Sequence, residues 1–243
     1  MAMLVNSKTA ILNILEKGQL QMEGLVPWGS NYTFLVQIAH DSGQVAAIYK
    51  PSKGERPLWD FTRGTLCLRE RAAFLTSEVL GWQVVPPTIL RDGPHGWGSL
   101  QYYVEHDPQE HYLTLQGRSV DQLQIIALFD ALINNADRKS GHVLLGIDDR
   151  LWAIDHGVCF HADYKLRSVI WEFAGEPIPD HMKANLVTFQ SWLCNGKDPV
   201  YAELSQLLDP RELDALGYRL QRLIEKGIFP YPGSGRHYPW PLV

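Results

Sequence analysis

The densest run of chemically capable side chains is Asn134-Asn135-Ala136-Asp137-Arg138-Lys139-Ser140-Gly141-His142, followed after a short apolar stretch by Ile154-Asp155-His156-Gly157. Asp137 is an acidic residue in a loop, and Lys139 follows two positions on. His142 opens a candidate hairpin that Asp155, in an Asp-x-Gly, closes. Such a set provides a base, a phosphate contact and two metal ligands, because a hairpin brings its two ends together.

Three earlier features could serve the same anion. Gly24-Leu25-Val26-Pro27-Trp28-Gly29-Ser30-Asn31 separates two candidate strands, and its glycines allow close backbone approach with N–H groups facing a negative charge. Taken alone, such a loop is more often a plain turn. Lys50 ends a strand, with Ile48 on the same strand face, and can reach phosphates covered by that loop; a solvated strand-end lysine is the plain alternative. Glu70, in Leu68-Arg69-Glu70-Arg71-Ala72-Ala73, either turns inward to pair with Lys50 or joins Arg69 and Arg71 in a surface charge row. Ala72 and Ala73 would let that helix approach a sheet.

The elements that must hold these groups read as a sheet followed by helices. Residues 7–17 form an amphipathic helix capped by Asn6 or Ser7 and ended by Gly18. Runs 20–23, 32–39 and 44–49, rich in Val, Ile, Tyr and Phe, form an antiparallel meander whose Asp41-Ser42-Gly43 turn closes a tight hairpin. A helix over 66–80 has Leu68, Ala72, Leu75, Val79 and Leu80 on one side, and strands 84–90 and 98–105 lead into a polar connector, 106–117. Capped by Ser119, the next helix runs to Asn134-Asn135, and strands 142–147 and 151–154 flank Asp148-Asp149. Helices near 182–194, 201–208 and 209–226 follow, and a tail rich in Pro, Gly and aromatics, 229–243, lies extended on them. The expected fold class is α+β in two lobes, an antiparallel-sheet lobe with its helix over 1–117 and a helical lobe over 118–243, with a cleft between.

A chain of 243 residues with 45% hydrophobic content can bury a sizeable core. No apolar run approaches the roughly 20 residues needed to cross a bilayer, and the N-terminus lacks a secretory pattern, so a cytoplasmic location is expected. Cys67, Cys159 and Cys194 stand far apart without metal spacing and read as reduced, mostly buried thiols. The mild acidity and the absence of a Lys/Arg run argue against a nucleic-acid partner, and no basic amphipathic helix offers a membrane-facing surface. The net charge of -5 averages over Lys50, Arg138 and Lys139, aimed at one anionic ligand, and carboxylates that need a metal to share that space.

In combination and in chain order, Ala47-Ile48-Tyr49-Lys50, Arg69-Glu70, the loop at Asp137 and Ile154-Asp155-His156-Gly157 resemble the protein-kinase-like superfamily, specifically its atypical phosphatidylinositol 3-/4-kinase-like branch. Pro86-Pro87-Thr88, Gly98-Ser99-Leu100-Gln101 and the run 134–145 resemble a small bacterial group within it. The resemblance covers about residues 20–230 and implies a bilobal kinase fold that transfers the γ-phosphoryl group of ATP to a hydroxyl acceptor, using Mg²⁺ or Mn²⁺. It implies that Lys50 contacts the α/β-phosphates with Glu70 as partner, Asp137 orients or deprotonates the acceptor hydroxyl, Asp155 ligates metal and Lys139 neutralises the transferring group. Gly29, Ser30 and Asn31 would cover the phosphates, and adenine would lie under Ile48 against a connector that includes Tyr103 and Val104. His142 stands where the branch has asparagine; imidazole suits Mn²⁺ better than Mg²⁺, so His142 either ligates Mn²⁺ or marks a lost second metal site. The expected partners are a nucleotide and a protein or small-molecule hydroxyl acceptor. A nucleotide-binding pseudokinase or scaffold is the main alternative, and a metal-dependent hydrolase built on Asp137, His142, Asp155, His156 and His161 is another. His156 is otherwise a packing histidine and His161 a loop residue.

Overall fold

The computed structural model describes residues 7–26 and 31–242. Ser7 caps α1 (Lys8–Lys17) by accepting the Ala10 N–H, and Gly18 ends the helix. The helix buries Ile11, Ile14 and Leu15 against one face of an antiparallel sheet. That sheet comprises β1 (Gln19–Leu25), β2 (Phe34–His40), β3 (Gly43–Pro51), β4 (Thr88–Gly93) and β5 (Gly96–Tyr102), in the order β1-β2-β3-β5-β4. His40 pairs with Gly43 across the two-residue turn Asp41-Ser42, as the turn composition requires. Val45, Ala47 and Tyr49 of β3 are buried in the cluster under α1, so the strand alternation turns Ile48 and Lys50 to the opposite face.

Two strand boundaries differ from the sequence expectation. β4 begins at Thr88, because Pro86 and Pro87 have no N–H for a ladder; Val84 and Val85 instead donate to Ser77 Oγ and pack in the core. β5 ends at Tyr102, and the polar connector contains a short helix, α3 (Tyr112–Leu115), with Tyr112 and Leu115 buried.

Helix α2 (Leu66–Val79) corrects the expectation of a single apolar side: ten of its 14 residues are buried, Arg69 and Glu70 among them, so it has no broad solvent face. Its Ala72, Ala73, Phe74 and Leu75 belong to the large core of the helical lobe, whereas α1 and the sheet form a separate core. The large core is built on α4 (Val120–Ile133), α5 (Asp180–Asn195), α6 (Pro199–Leu207) and α7 (Pro210–Lys226). Ser119 does not cap α4 through its side chain; it is left-handed, with φ 49°, and only its carbonyl accepts the first helical N–H groups. Strands β6 (Val143–Leu145) and β7 (Leu151–Ala153) form the expected hairpin, shorter at both ends. The tail is irregular and docked: the carbonyls of Leu242 and His237 accept the N–H groups of Ser140 and Ser168. Cys67 and Cys159 are buried and Cys194 exposed, all three unpaired. Among the described residues, no helix is long and apolar enough to cross a membrane.

Candidate active site

Lys50 leaves β3 where β5 passes closest. A side chain at Gly98 would put its Cβ 2.3 Å from the Lys50 carbonyl oxygen, so glycine is required for the two strands to meet there. Lys50 Nζ is paired with Glu70 Oε1 and lies 3.0 Å from Asp155 Oδ1. Glu70 is inward and almost fully buried, which rules out the surface charge row; its second oxygen accepts the His156 N–H at 3.0 Å. Burial opposes the charge on Lys50, but Asp155 and Glu70 outweigh it and hold the ammonium above the usual lysine range.

The loop carrying Asp137 is fixed from beneath. Asn134 ends α4 in the left-handed region, φ 56°, and its side-chain amide bonds the backbone at His161, Asp163 and Lys165. Asn135 accepts the Asp137 N–H at 3.0 Å and donates to Asp130. Arg138 is fully buried and does not point at a ligand, correcting the expectation that it joins Lys50 and Lys139 there. It makes a bidentate pair with Asp130 at 2.8 and 2.9 Å, donates to the carbonyls of His142 and Ile154, and meets His156 Nε2 at 2.8 Å. One guanidinium therefore ties α4, the loop and both ends of the hairpin together; removing one partner of such a buried pair costs about 3–5 kcal/mol. Asp137 itself reaches the cavity, with Lys139 Nζ 3.6 Å from its Oδ2. Burial pushes the Asp137 carboxyl up to about 6, against the pull of Lys139.

Asp155 follows β7 in the left-handed region at φ 61°, an uncommon conformation for a non-glycine residue and one found at functional sites. Lys50 holds its carboxyl well below the usual carboxylate range, against burial and with help from His142. Protein atoms surround this carboxylate, yet 47% of the side chain is reached by solvent through the open cleft. His142 Nε2 lies 3.4 Å from Asp155 Oδ2, and burial lowers the imidazole to about 4, so it is neutral at pH 7.

An ionised carboxylate beside a neutral imidazole is a donor pair that fits a divalent cation, Mn²⁺ better than Mg²⁺. Ligation through Nε2 places the ring proton on Nδ1 and gives up only the long 3.4 Å contact from the Lys139 N–H. Among the described residues no three His, Cys, Asp or Glu side chains converge as a metal-binding group, so further ligands would have to come from a bound phosphate or water.

A cavity of about 60 Å³ is lined by Asn31, Lys50, Glu70, Asp137 and Asp155. His142 and Lys139 adjoin it through Asp155 and Asp137, and Ile48 shares the Lys50 face of β3. Tyr103 and Val104 open instead onto a separate groove of about 770 Å³, lined also by α1, the start of β3 and Trp152. Gly29 and Ser30 lie outside the described residues. His156 is a fully buried packing residue against Phe129 and Arg138, and burial keeps it neutral; His161 bonds the Asp60 carbonyl at 2.9 Å, away from the other members of the hydrolase set. Sequence reasoning missed Asp130 and Asn135 as supports and Glu203 and Glu212 as partners of Arg71 and Arg69. No local signal marks these long-range pairs; only the Asn134-Asn135 break pointed to the loop.

The chain is 37% identical over 264 aligned residues to Protein Rv2133c of Mycobacterium tuberculosis (strain ATCC 25618 / H37Rv), with 94% of each covered. Phosphatidylinositol 4-kinase gamma 4 of Oryza sativa subsp. japonica is 26% identical over 201 residues, which are 69% of this chain but 34% of that protein. No protein-family model matches. Among solved structures, the Golgi casein kinase superposes with a TM-score of 0.57 at 16% identity, covering 90% of this chain and 74% of that one. Its Mn/ADP-bound structure gives 0.53 at 16%, covering 97% and 80%. The fold is therefore a bilobal protein-kinase-like α+β fold.

Proposed function

The chain belongs to the same family as Protein Rv2133c of Mycobacterium tuberculosis, and on that premise we propose that it is an ATP-dependent phosphotransferase delivering a γ-phosphoryl group to a hydroxyl of a small molecule or a protein. The observation that carries the reading is Lys50 bridged to both Glu70 and Asp155, with Asp137 on the same cavity. In this reading Lys50, kept cationic, holds the α/β-phosphates, and Glu70 keeps it from swinging away. Asp137 accepts the proton of the acceptor hydroxyl, a task suited to a carboxyl raised to about 6, and Lys139 meets charge on the transferring oxygens. Asp155 and His142 would hold Mg²⁺ or Mn²⁺, whose role when bound is to neutralise charge on the phosphates. Asn31 covers the phosphates, and Ile48, on the Lys50 face of β3, borders the adenine. Residues 1–117 thus serve nucleotide binding and 118–243 catalysis. Membership of the phosphatidylinositol 3-/4-kinase-like side is part of this proposal; the likeness to the rice enzyme supports the superfamily as a whole.

The test is a thermal shift with ATP and each divalent ion, read beside γ-phosphate release. Stabilisation that needs nucleotide and ion together, with slow release, is expected. Ion binding without nucleotide dependence would favour a hydrolase, and stabilisation without release a pseudokinase.

A further inference from the structure

Glu70 is flanked on α2 by two arginines, and each is anchored in the helical lobe. Arg69, 4% exposed, meets Glu212 of α7 at 2.7 Å, donates to the Cys159 carbonyl at 2.9 Å and lies over the Phe61 ring. Arg71 forms a two-bond pair with Glu203 of α6, at 2.7 and 3.1 Å, and donates to the Thr88 carbonyl at 2.6 Å. Between these anchors, the free oxygen of Glu70 is occupied by the His156 N–H. Below them, Ala72, Ala73, Phe74 and Leu75 are packed into the core of the helical lobe. An outward swing of α2 that freed Lys50 would have to break a buried ion pair, a bidentate pair and core packing together.

We propose that Glu203 and Glu212 are positioning residues that clamp α2 to the helical lobe, so that the Lys50–Glu70 pair is assembled permanently and is not switched by a helix movement. The inference builds on the phosphotransferase reading for its kinetic consequence, while the clamp itself can be measured without any turnover. With α2 clamped, regulation acts on access of nucleotide or acceptor rather than on this helix.

Hydrogen exchange of the full chain measures the clamp directly. Amides of residues 66–79 should already exchange slowly without ligand, and ATP with Mn²⁺ should slow them by no more than it slows the core amides of α4; protection of α2 that appears only with nucleotide would overturn the proposal. Because Glu212 also caps α7, the decisive variant is Glu203→Ala, at a side chain 41% exposed. It should keep the fold, raise α2 exchange and lower kcat about ten-fold with ATP affinity within two-fold, and Glu203→Gln should recover most of the loss. Unchanged α2 exchange and unchanged kcat in Glu203→Ala would refute the clamp. If the wild type releases no phosphate while α2 still loosens in the variant, the phosphotransferase reading fails and the clamp stands.

Discussion

Asp137 and Asp155 face one cavity, and the chain treats these two carboxylates in opposite ways. Asp155, at the end of β7, has the Lys50 ammonium 3.0 Å away and is held ionised. Asp137, on the loop after α4, loses more to burial than its 3.6 Å contact with Lys139 returns, and its carboxyl rises to about 6. Environments that push two pKa values apart separate roles: a permanent anion suits a cation, and a carboxyl poised near neutrality suits proton transfer. The supports differ as well. Asp155 is braced by Lys50 from across the cleft and by His142 from its own hairpin, whereas Asp137 is braced from below by Asn135 and, through Arg138, by Asp130.

The comparison breaks first, and hardest, under paired substitution. Asp155→Ala should abolish divalent-dependent turnover and also the nucleotide-induced thermal shift, because Lys50 loses one of its two counter-ions and a metal ligand disappears. Asp137→Asn should lower transfer by roughly 10²–10⁴-fold yet leave the shift in place, since a base acts only on the acceptor. Equal loss of the shift in both variants would erase the distinction between the two carboxylates.

The pH profile sharpens the same contrast with a smaller effect. If Asp137 is the base, kcat/KM should rise with pH along an acid limb centred near 6, and that limb should vanish in the residual activity of Asp137→Asn. Stability carries the opposite sign. A carboxyl near 3.8 in the unfolded chain and about 6 in the fold costs nothing below both values; the cost grows between pH 4 and 6 and stays constant above. Asp137→Asn should therefore raise the melting temperature at pH 8 but not at pH 3.5. Solvent screening at a side chain 35% exposed limits the gain to about 2 °C.

What could be read from the sequence was the local part of this arrangement. The period of β3 located Lys50 and Ile48 on one face, and the hairpin turn and Asp-x-Gly located Asp155, because strand alternation and turn chemistry are short-range rules. Within α2 only Glu70 was legible, as a partner of Lys50, 20 positions away; Arg69 and Arg71 look like a solvated row, and their acidic partners lie 143 and 132 positions away. Arg138 misled for a different reason: Asp130 is only eight positions away, but nothing in the local sequence announces that the pair closes inside the core. Pro86-Pro87 was readable as a strand breaker, yet the apolar run around it outweighed that signal.

The smallest effect expected concerns His142, the neutral donor that could join the Asp155 carboxylate on a cation. Its imidazole, neutral because burial lowers it to about 4, stands 3.4 Å from the Asp155 carboxylate. A neutral nitrogen donor favours Mn²⁺ over Mg²⁺, because Mg²⁺ gives up water oxygens reluctantly. Mn²⁺ should then support turnover at least as well as Mg²⁺, and His142→Asn, which replaces nitrogen by an amide oxygen, should move the ratio several-fold toward Mg²⁺. A clear Mg²⁺ preference together with unimpaired His142→Ala would remove His142 from the metal and leave Asp155 to act with Lys50 alone.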